Sequence, residues 1–340
     1  MRSIRLSIAV GILVTACALC VAACGGADSE SSATGSSPVD IRIGNIPTSG
    51  LVILHTMLHP PADLKLDGAS AYKTTEQSFA GTPDILQGLS TGSLDAGAVG
   101  ATAMFPALEK GIGLLITGEL FELRSGGFDN SYFVKKGSGI NGPEDMRGKT
   151  MATTQVGSPA YWIGVAYLKR AGLEPKKDYK VATVPNANML QALDAGHVDM
   201  APMILPFLNQ ARAETDKYQE LFPYSEVQDP YVQSLLVFNK KFAAAHRDAV
   251  KAFLADWSKT AKYVNDPANH ENVVKVVSDV TKVPAKSLDY VATKNFYYLP
   301  PSGSPDLDAI QKNWDWFRKF GGVDKAYIVR DYVDPGLLPQ

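Results

Sequence analysis

The positions of the cysteines are the first limit on the chemistry of this chain. The chain has 340 residues and three cysteines, Cys17, Cys20 and Cys24, all within its first 24 residues. The sequence after Cys24 therefore offers no thiol for a disulfide, a thiolate metal site or a cysteine nucleophile. Chemistry in the body of the chain must come from other residue types.

Two histidines have the spacing of metal ligands. His55 and His59 stand four residues apart on a predicted helix, which places them on one face. No third ligand is evident near them in the sequence, so we expect no metal site there. We also identify no group of residues at the spacing of a catalytic centre, and we predict a protein without enzymatic activity or cofactor.

The candidates for ligand binding are small and hydroxyl residues at predicted helix starts. Free N–H groups at a helix start carry a partial positive charge and suit the oxygens of a sulfonate, carboxylate or nitrate. The same hydroxyls can serve only as helix caps, so both roles stay open at each position. The candidates, together with one cleft-floor proline, are Thr48, Ser49, Thr82, Gly100, Ala101, Thr102, Gly157, Ser158 and Pro206.

The elements that would position these residues follow an α/β pattern. From Val39 onward, short apolar runs alternate with amphipathic stretches, and Ile41 and Ile43 indicate a first strand. Thr82-Pro83 and Ser158-Pro159 are both typical of an N-cap followed by proline in the first helical turn. After about Asn239 the pattern is mostly helical, with helices predicted at 241–264, 267–280, 285–297 and 305–319.

An internal repeat indicates two similar lobes. Residues 86–95 match residues 190–199 at a constant offset of 104. Each copy predicts a helix, a glycine that ends it, and a strand that begins with an apolar residue and an aspartate, Asp95 or Asp199. Two such units in register favour two α/β lobes over one.

The first 23 residues predict export. Arg2 and Arg5 precede a charge-free run from Leu6 to Ala23, the order of a secretory signal peptide. An uncleaved anchor stays open as an alternative, because a run of about 18 residues can just span a bilayer. We therefore predict a signal peptide at 1–23.

The residues around Cys24 predict a lipid anchor. Val21-Ala22-Ala23-Cys24 resembles the lipobox of bacterial lipoproteins, in which the cysteine is acylated and becomes the mature N-terminus. Cys17 fits the same pattern, but only Cys24 is followed at once by polar sequence. The Gly- and Ser-rich segment 24–38 is then a flexible tether.

The charge excludes a nucleic-acid partner. The formal net charge is −2 and becomes −4 when Arg2 and Arg5 are removed with the signal peptide. A mildly acidic protein lacks the excess of positive charge that attracts nucleic acid or anionic lipid headgroups. Contact with the membrane is expected through the lipid anchor.

The stretch from Gly139 to Gly172 resembles the start of the second lobe of bacterial solute-binding proteins for aliphatic sulfonates, nitrate, taurine and thiamine precursors. In that family a D-L-x-G-K turn leads into a strand and then a Gly-Ser helix start. Here Asp145-Met146-Arg147-Gly148-Lys149 forms the turn, with Met146 in place of leucine, and Gly157-Ser158 follows. Residues 195–199 and Pro206-Phe207 resemble the family's next marker.

This resemblance implies a two-lobed, type II-like periplasmic-binding-protein fold with two interlobe crossovers and a helical C-terminal tail. Lobe one would be 39–120 plus 236–340, and lobe two would be 121–235. The family also implies a small ligand between the lobes, which we expect to be an anion such as a sulfonate or nitrate, and delivery to an ABC permease with its ATPase subunit. The chain would be a monomer on the extracytoplasmic face of the cell membrane.

Two other classes of function stay open from the sequence. An enzyme on the same fold is one, since a fold does not determine function. The other is a surface lipoprotein that binds a protein or polymer, which would need an exposed apolar patch instead of an enclosed cleft.

Overall fold

Two five-stranded sheets organise the computed structural model, which describes residues 37–338. The signal peptide and Cys24 lie outside the described residues. The first sheet has the order β2-β1-β3-β10-β4, in which β10 is antiparallel to its neighbours and the other pairs are parallel. Its strands are β1 (Val39–Asn45), β2 (Tyr72–Ser78), β3 (Ala96–Gly100), β4 (Leu114–Leu123) and β10 (Tyr231–Asn239).

The second sheet repeats this plan. Its order is β7-β6-β8-β5-β9, and β5 is the antiparallel strand in the fourth place. Its strands are β5 (Ser131–Lys135), β6 (Thr150–Thr153), β7 (Lys180–Thr183), β8 (Met200–Met203) and β9 (Tyr218–Pro223). Each antiparallel strand follows a strand of the other sheet in the chain, so the chain crosses between lobes twice. The predicted two-lobed architecture with two crossovers is confirmed.

The crossovers lie a few residues from the predicted boundaries. The boundaries at 120/121 and 235/236 fall inside β4 and β10, and the connecting segments are 124–130 and 224–230. The reason is that the buried run of β4 continues to Leu123, which pairs with Tyr231. A change of sheet becomes possible only where that pairing ends.

Helices cover the sheets, and the C-terminal tail packs on the first lobe. In this tail α8 packs against α1, and α10 packs against β10 and α3. The helices are α1 (Val52–Leu58), α2 (Thr82–Thr91), α3 (Ala101–Glu109), α4 (Pro159–Lys169), α5 (Met189–Asp194), α6 (Phe207–Ala213), α7 (Lys240–Ala245), α8 (Arg247–Asn265), α9 (His270–Thr281) and α10 (Leu307–Lys319). Among the described residues, every helix is too short or too polar to cross a membrane.

The prediction of one helix in the C-terminal tail is wrong. The segment predicted at 285–297 has only a 3-10 turn at Ala285–Ser287 and then irregular backbone, with a positive φ of 56° at Ala292. Its aromatic residues turn inward instead, and Tyr297 stacks on Phe121 with ring centroids 4.6 Å apart. Tertiary packing of large aromatic side chains has overridden the helical pattern here.

The internal repeat has the same hydrogen bonding in both lobes. The Asp95 carboxylate accepts the backbone N–H of Arg42 at 2.9 Å, and the Asp199 carboxylate accepts that of Thr150 at 2.8 Å. The backbone N–H of each aspartate donates back to the carbonyl of the same partner, at 2.8 and 2.9 Å. Each aspartate therefore ties the start of one strand, β3 or β8, to the neighbouring parallel strand.

Candidate functional site: a cleft between the two lobes

A cleft of about 690 Å³ lies between the lobes. In open α/β sheets, ligands collect beyond the carboxyl ends of the strands, and this cleft has that position. Its first-lobe wall comes from residues within 46–48, 80–87 and 103–112. Its second-lobe wall comes from 154–159, the loop between β6 and α4, and from Asn186.

The lining of the cleft favours neutral or anionic ligands. Lys110 is the one charged residue among the described residues that line it, and none of them is a carboxylate. Apolar side chains such as Ile46, Leu86, Ile112 and Val156 form much of the wall. A lining of this kind suits a ligand that has an apolar part and carries no positive charge.

Ser158 is a helix cap at the edge of this cleft. Its Oγ accepts the backbone N–H of Tyr161 at 3.2 Å, as predicted for an N-cap. The Oγ atom also lies 3.1 Å from the Thr153 hydroxyl, which itself donates to the carbonyl of Gln155. Either hydroxyl can be the donor in this pair, and the Ser158 hydroxyl therefore already has two partners within the protein. Gly157, with a φ of +88°, lines the cleft beside it and has open space where a Cβ would stand.

Thr82 lines the cleft but does not cap its own helix. The N-cap of α2 is Gly81, and the predicted capping role of Thr82 is wrong. Its Oγ1 instead accepts the backbone N–H of Gly100 at 3.0 Å, which joins the start of α2 to the start of α3. A Cβ added to Gly100 would lie 3.5 Å from Pro159 Cγ, so the starts of α3 and α4 lie close together.

Thr48 lines the cleft, while its neighbour Ser49 is buried outside the lining. The Thr48 carbonyl accepts a hydrogen bond from His55 Nε2 at 2.7 Å, and His55 Nδ1 lies 3.1 Å from Asn45 Nδ2. Asn45 also donates to Glu76 at 2.6 Å, and Glu76 pairs with His59 at 2.8 Å. This chain of hydrogen bonds holds the turn between β1 and α1 against the sheet.

The two histidines have different environments. Burial lowers the pKa of His55 to about 4, so its ring is neutral and both its nitrogens are hydrogen-bonded. The Glu76 carboxylate raises the pKa of His59, which is exposed. Within 37–338, no three His, Cys, Asp or Glu side chains are grouped to hold a metal ion.

The other predicted site residues are outside the cleft lining. Ala101 and Thr102 begin α3 as predicted, but their side chains are buried and do not line the cleft. Pro206 precedes α6 at the end of β8, also outside the lining. Thus Thr48, Thr82, Gly157 and Ser158 line one cleft, whereas Ser49, Gly100, Ala101, Thr102 and Pro206 are outside its lining.

Some lining residues were missed at the sequence level. Thr154, Gln155 and Val156 belong to the loop that leads from β6 to Ser158, and the position of this loop after a strand was the available signal. Val156 is 59% exposed at the rim. Lys110 follows the end of α3, and no local pattern in the sequence distinguished it from a surface lysine.

Two short sequences match the residue pattern of a catalytic motif, but neither adopts the structure that the motif requires. Gly88-Leu89-Ser90-Thr91-Gly92 has the form G-x-S-x-G, but it lies in the second half of α2 and ends at the C-cap Gly92. A nucleophile elbow requires a sharp turn from strand to helix, so this serine is not one. Gly148-Lys149-Thr150 leads into β6 instead of a helix, and so does not cradle a phosphate as a P-loop does.

The fold and the interlobe cleft define a two-lobed periplasmic-binding-protein architecture. The sequence matches the NMT1-like family over residues 13–278, and the chain belongs to that family. Comparison with curated proteins gave no significant match.

Solved structures with this fold include binding proteins of transporters. The alkanesulfonate-binding protein SsuA from Xanthomonas axonopodis pv. citri, bound to MOPS, is 21% identical, with a TM-score of 0.66 and coverage of 88% of this chain and 99% of that one. The aliphatic sulphonate-binding protein SsuA from Escherichia coli is 20% identical, with a TM-score of 0.67 and coverage of 87% and 98%. The nitrate-binding protein NrtA from Synechocystis is 13% identical, with a TM-score of 0.64 and coverage of 88% and 86%.

Proposed function

We propose that this chain is a non-enzymatic, extracytoplasmic solute-binding protein of an ABC-type importer. It holds a small ligand in the interlobe cleft and delivers it to the permease. The observation that carries the proposal is that both lobes contribute strand-to-helix loops to one cleft, with Thr82 on one wall and Gly157 on the other. The binding proteins for alkanesulfonate and nitrate that share the fold support it.

The ligand is an organic anion with an apolar portion. The starts of α2 and α4 line the cleft, and N–H groups at helix starts favour oxygen atoms with negative charge. Lys110 adds a positive charge near Ile112, and the apolar wall would contact an alkyl chain or a ring. A bare nitrate ion would leave that apolar wall without a partner, so a sulfonate or carboxylate with a carbon skeleton fits better.

Calorimetry on the folded unit, residues 37–340, tests this proposal. The probes are 1-butanesulfonate, MOPS and nitrate, and butylammonium is the matched control of opposite charge. We expect saturable binding of the two sulfonates, weaker binding of nitrate and no binding of butylammonium. Binding of butylammonium as strong as that of butanesulfonate would contradict the ligand class. If none of 1-butanesulfonate, MOPS and nitrate bound, the result would contradict the proposed function.

The anchor is proposed separately, because Cys24 lies outside the described residues. Acylation of Cys24 would keep the receptor beside its permease on the outer face of the membrane. Cys24→Ser should block lipid attachment and release the protein from the membrane fraction, whereas Cys17→Ser should leave it attached. Metabolic labelling with a fatty-acid analogue followed by fractionation measures both variants. The opposite pattern would assign the anchor to Cys17.

A further inference from the structure

Tyr297 lies in the C-terminal tail and is held on the first lobe. The next residue, Tyr298, exchanges two backbone hydrogen bonds of 3.1 Å with Glu122 of β4. The Tyr297 ring stacks on Phe121 of the same strand, with ring centroids 4.6 Å apart. The first lobe therefore positions both the backbone and the ring of this tyrosine.

The hydroxyl of the same tyrosine contacts the second lobe at two points. It donates to Oδ1 of Asn130, the residue before β5, at 3.0 Å. It also accepts the backbone N–H of Leu205, which follows β8, at 3.4 Å. All three residues are buried, and a buried polar group that loses its partner costs free energy. The two hydrogen bonds therefore favour the arrangement of the lobes in which they form.

The two crossover segments are tied to each other at both ends. Near the first lobe, the Asp229 carboxylate accepts the backbone N–H of Ser125 at 3.0 Å. Near the second lobe, the Asn130 carbonyl accepts the backbone N–H of Tyr224 at 2.8 Å. The lobes can turn relative to each other between these ties, where residues 126–128 include two successive glycines.

Tyr297 spans the region about which the lobes would turn. Its ring belongs with Phe121 on one side, whereas Asn130 and Leu205 move with the lobe on the other side. A rotation of the lobes must therefore break the hydrogen bonds of the hydroxyl or separate the stacked rings. In the structure the lobes touch, since an aromatic ring of α4 meets one of α10 edge to face with centroids 4.8 Å apart.

We infer that Tyr297 is a positioning residue, a latch whose hydroxyl favours the arrangement in which the two lobes enclose the cleft. Tyr297 is not among the residues that line the cleft, so it acts on the ligand only through the position of the lobes. The apparent affinity of a protein rises with the fraction of molecules in the binding arrangement. This inference rests on the proposed function and adds to it a residue that determines how readily the cleft closes.

Tyr297→Phe tests the latch, because it removes the hydroxyl and keeps the ring on Phe121. Calorimetry should show 1-butanesulfonate binding about 3- to 10-fold more weakly, the usual effect of losing a hydrogen bond between uncharged groups. Asn130→Ala removes the acceptor instead, and its effect on affinity should not add to that of Tyr297→Phe, since both changes break one bond. The matched control is Tyr72→Phe, which breaks a buried hydrogen bond of 2.8 Å to Asp256 within the first lobe and should leave the affinity unchanged.

Small-angle scattering of the ligand-free protein measures the latch without any ligand. Tyr297→Phe should have a larger radius of gyration than the wild type, because the open arrangement gains population, whereas Tyr72→Phe should not. A lower unfolding temperature in Tyr297→Phe, with affinity and radius of gyration as in the wild type, would show a purely structural role and overturn the latch.

The same measurements separate the latch from the proposed function. If the wild type bound none of the probes but the radius of gyration still increased in Tyr297→Phe, the latch would stand and the proposed function would be contradicted. If Tyr297→Phe does not fold, Asn130→Ala decides the question by the same two measurements.

Discussion

His55 should make the protein sensitive to acid, because it is buried as a neutral ring. It donates to the Thr48 carbonyl and lies within hydrogen-bonding distance of Asn45, and burial lowers its pKa to about 4 from the ordinary value of 6.5. The perturbation is His55→Gln, whose side-chain amide keeps a donor to Thr48 and does not titrate. We expect the variant to lose the part of the pH dependence that belongs to His55.

The sign and size of this effect follow from linkage. Between pH 6.5 and pH 4 the unfolded histidine binds a proton and the folded one does not, so folding becomes less favourable as the pH falls. From the pKa of about 4 in the folded state, the loss between pH 7.5 and pH 4.5 is about 2 to 3 kcal/mol. The stability of His55→Gln relative to the wild type should therefore rise by about that amount over this range.

Urea unfolding at pH 7.5, 5.5 and 4.5 measures the difference. Other groups titrate in the same range: Glu119 has a raised pKa, and His59 and Glu76 shift each other. Because these groups are the same in both proteins, they largely cancel in the difference. His59→Gln is the matched control at the C-cap of the same helix, and it should keep the acid sensitivity that His55 causes. A difference between His55→Gln and wild type that does not change with pH would refute the burial argument.

Three further predictions concern a buried acid, the glycine in the cleft and the lobes. Burial, with the nearby Glu122 charge, raises the pKa of Glu119 to about 8. The stability that the protonated Glu119 contributes is therefore present below pH 4.5 and is lost as the pH rises toward 8. Relative to the wild type, Glu119→Gln should gain about 3 kcal/mol of stability between pH 4.5 and pH 7 in chemical denaturation. Gly157→Ala and Gly137→Ala should each cost about 1 kcal/mol of stability at a positive φ, but calorimetry should show weaker butanesulfonate binding only for Gly157→Ala. Small-angle scattering should show a smaller radius of gyration with saturating butanesulfonate, and identical curves would contradict closure of the lobes.

The features that could be predicted from the sequence are those that depend on residues close together in the chain. The repeat around Asp95 and Asp199 predicted two similar lobes, because each copy contains a helix end, a glycine and a strand start within ten residues. Ser158-Pro159 predicted a capped helix for the same reason, since the hydroxyl and the amide that it accepts are three residues apart. Local chemistry of this kind needs no knowledge of the partner lobe.

Features that depend on distant partners could not be predicted in this way. Thr82 has the sequence of a cap, but its hydroxyl bonds to Gly100, 18 residues away. The ends of β4 and β10 depend on the pairing of Leu123 with Tyr231, which are far apart in the chain.

The helix α4 connects the cleft with the contact between lobes. Ser158 caps its start at the cleft, and four residues later the Trp162 ring meets the Phe317 ring of α10 edge to face, with centroids 4.8 Å apart. Because Ser158 and Trp162 stand about one turn apart on one short helix, a movement of the helix start must also move the tryptophan. Trp162 belongs to the second lobe and Phe317 to the tail that packs on the first. A ligand held against Gly157 therefore acts on the same rigid element that joins the lobes, which is how binding in the cleft would favour one arrangement of the lobes over another.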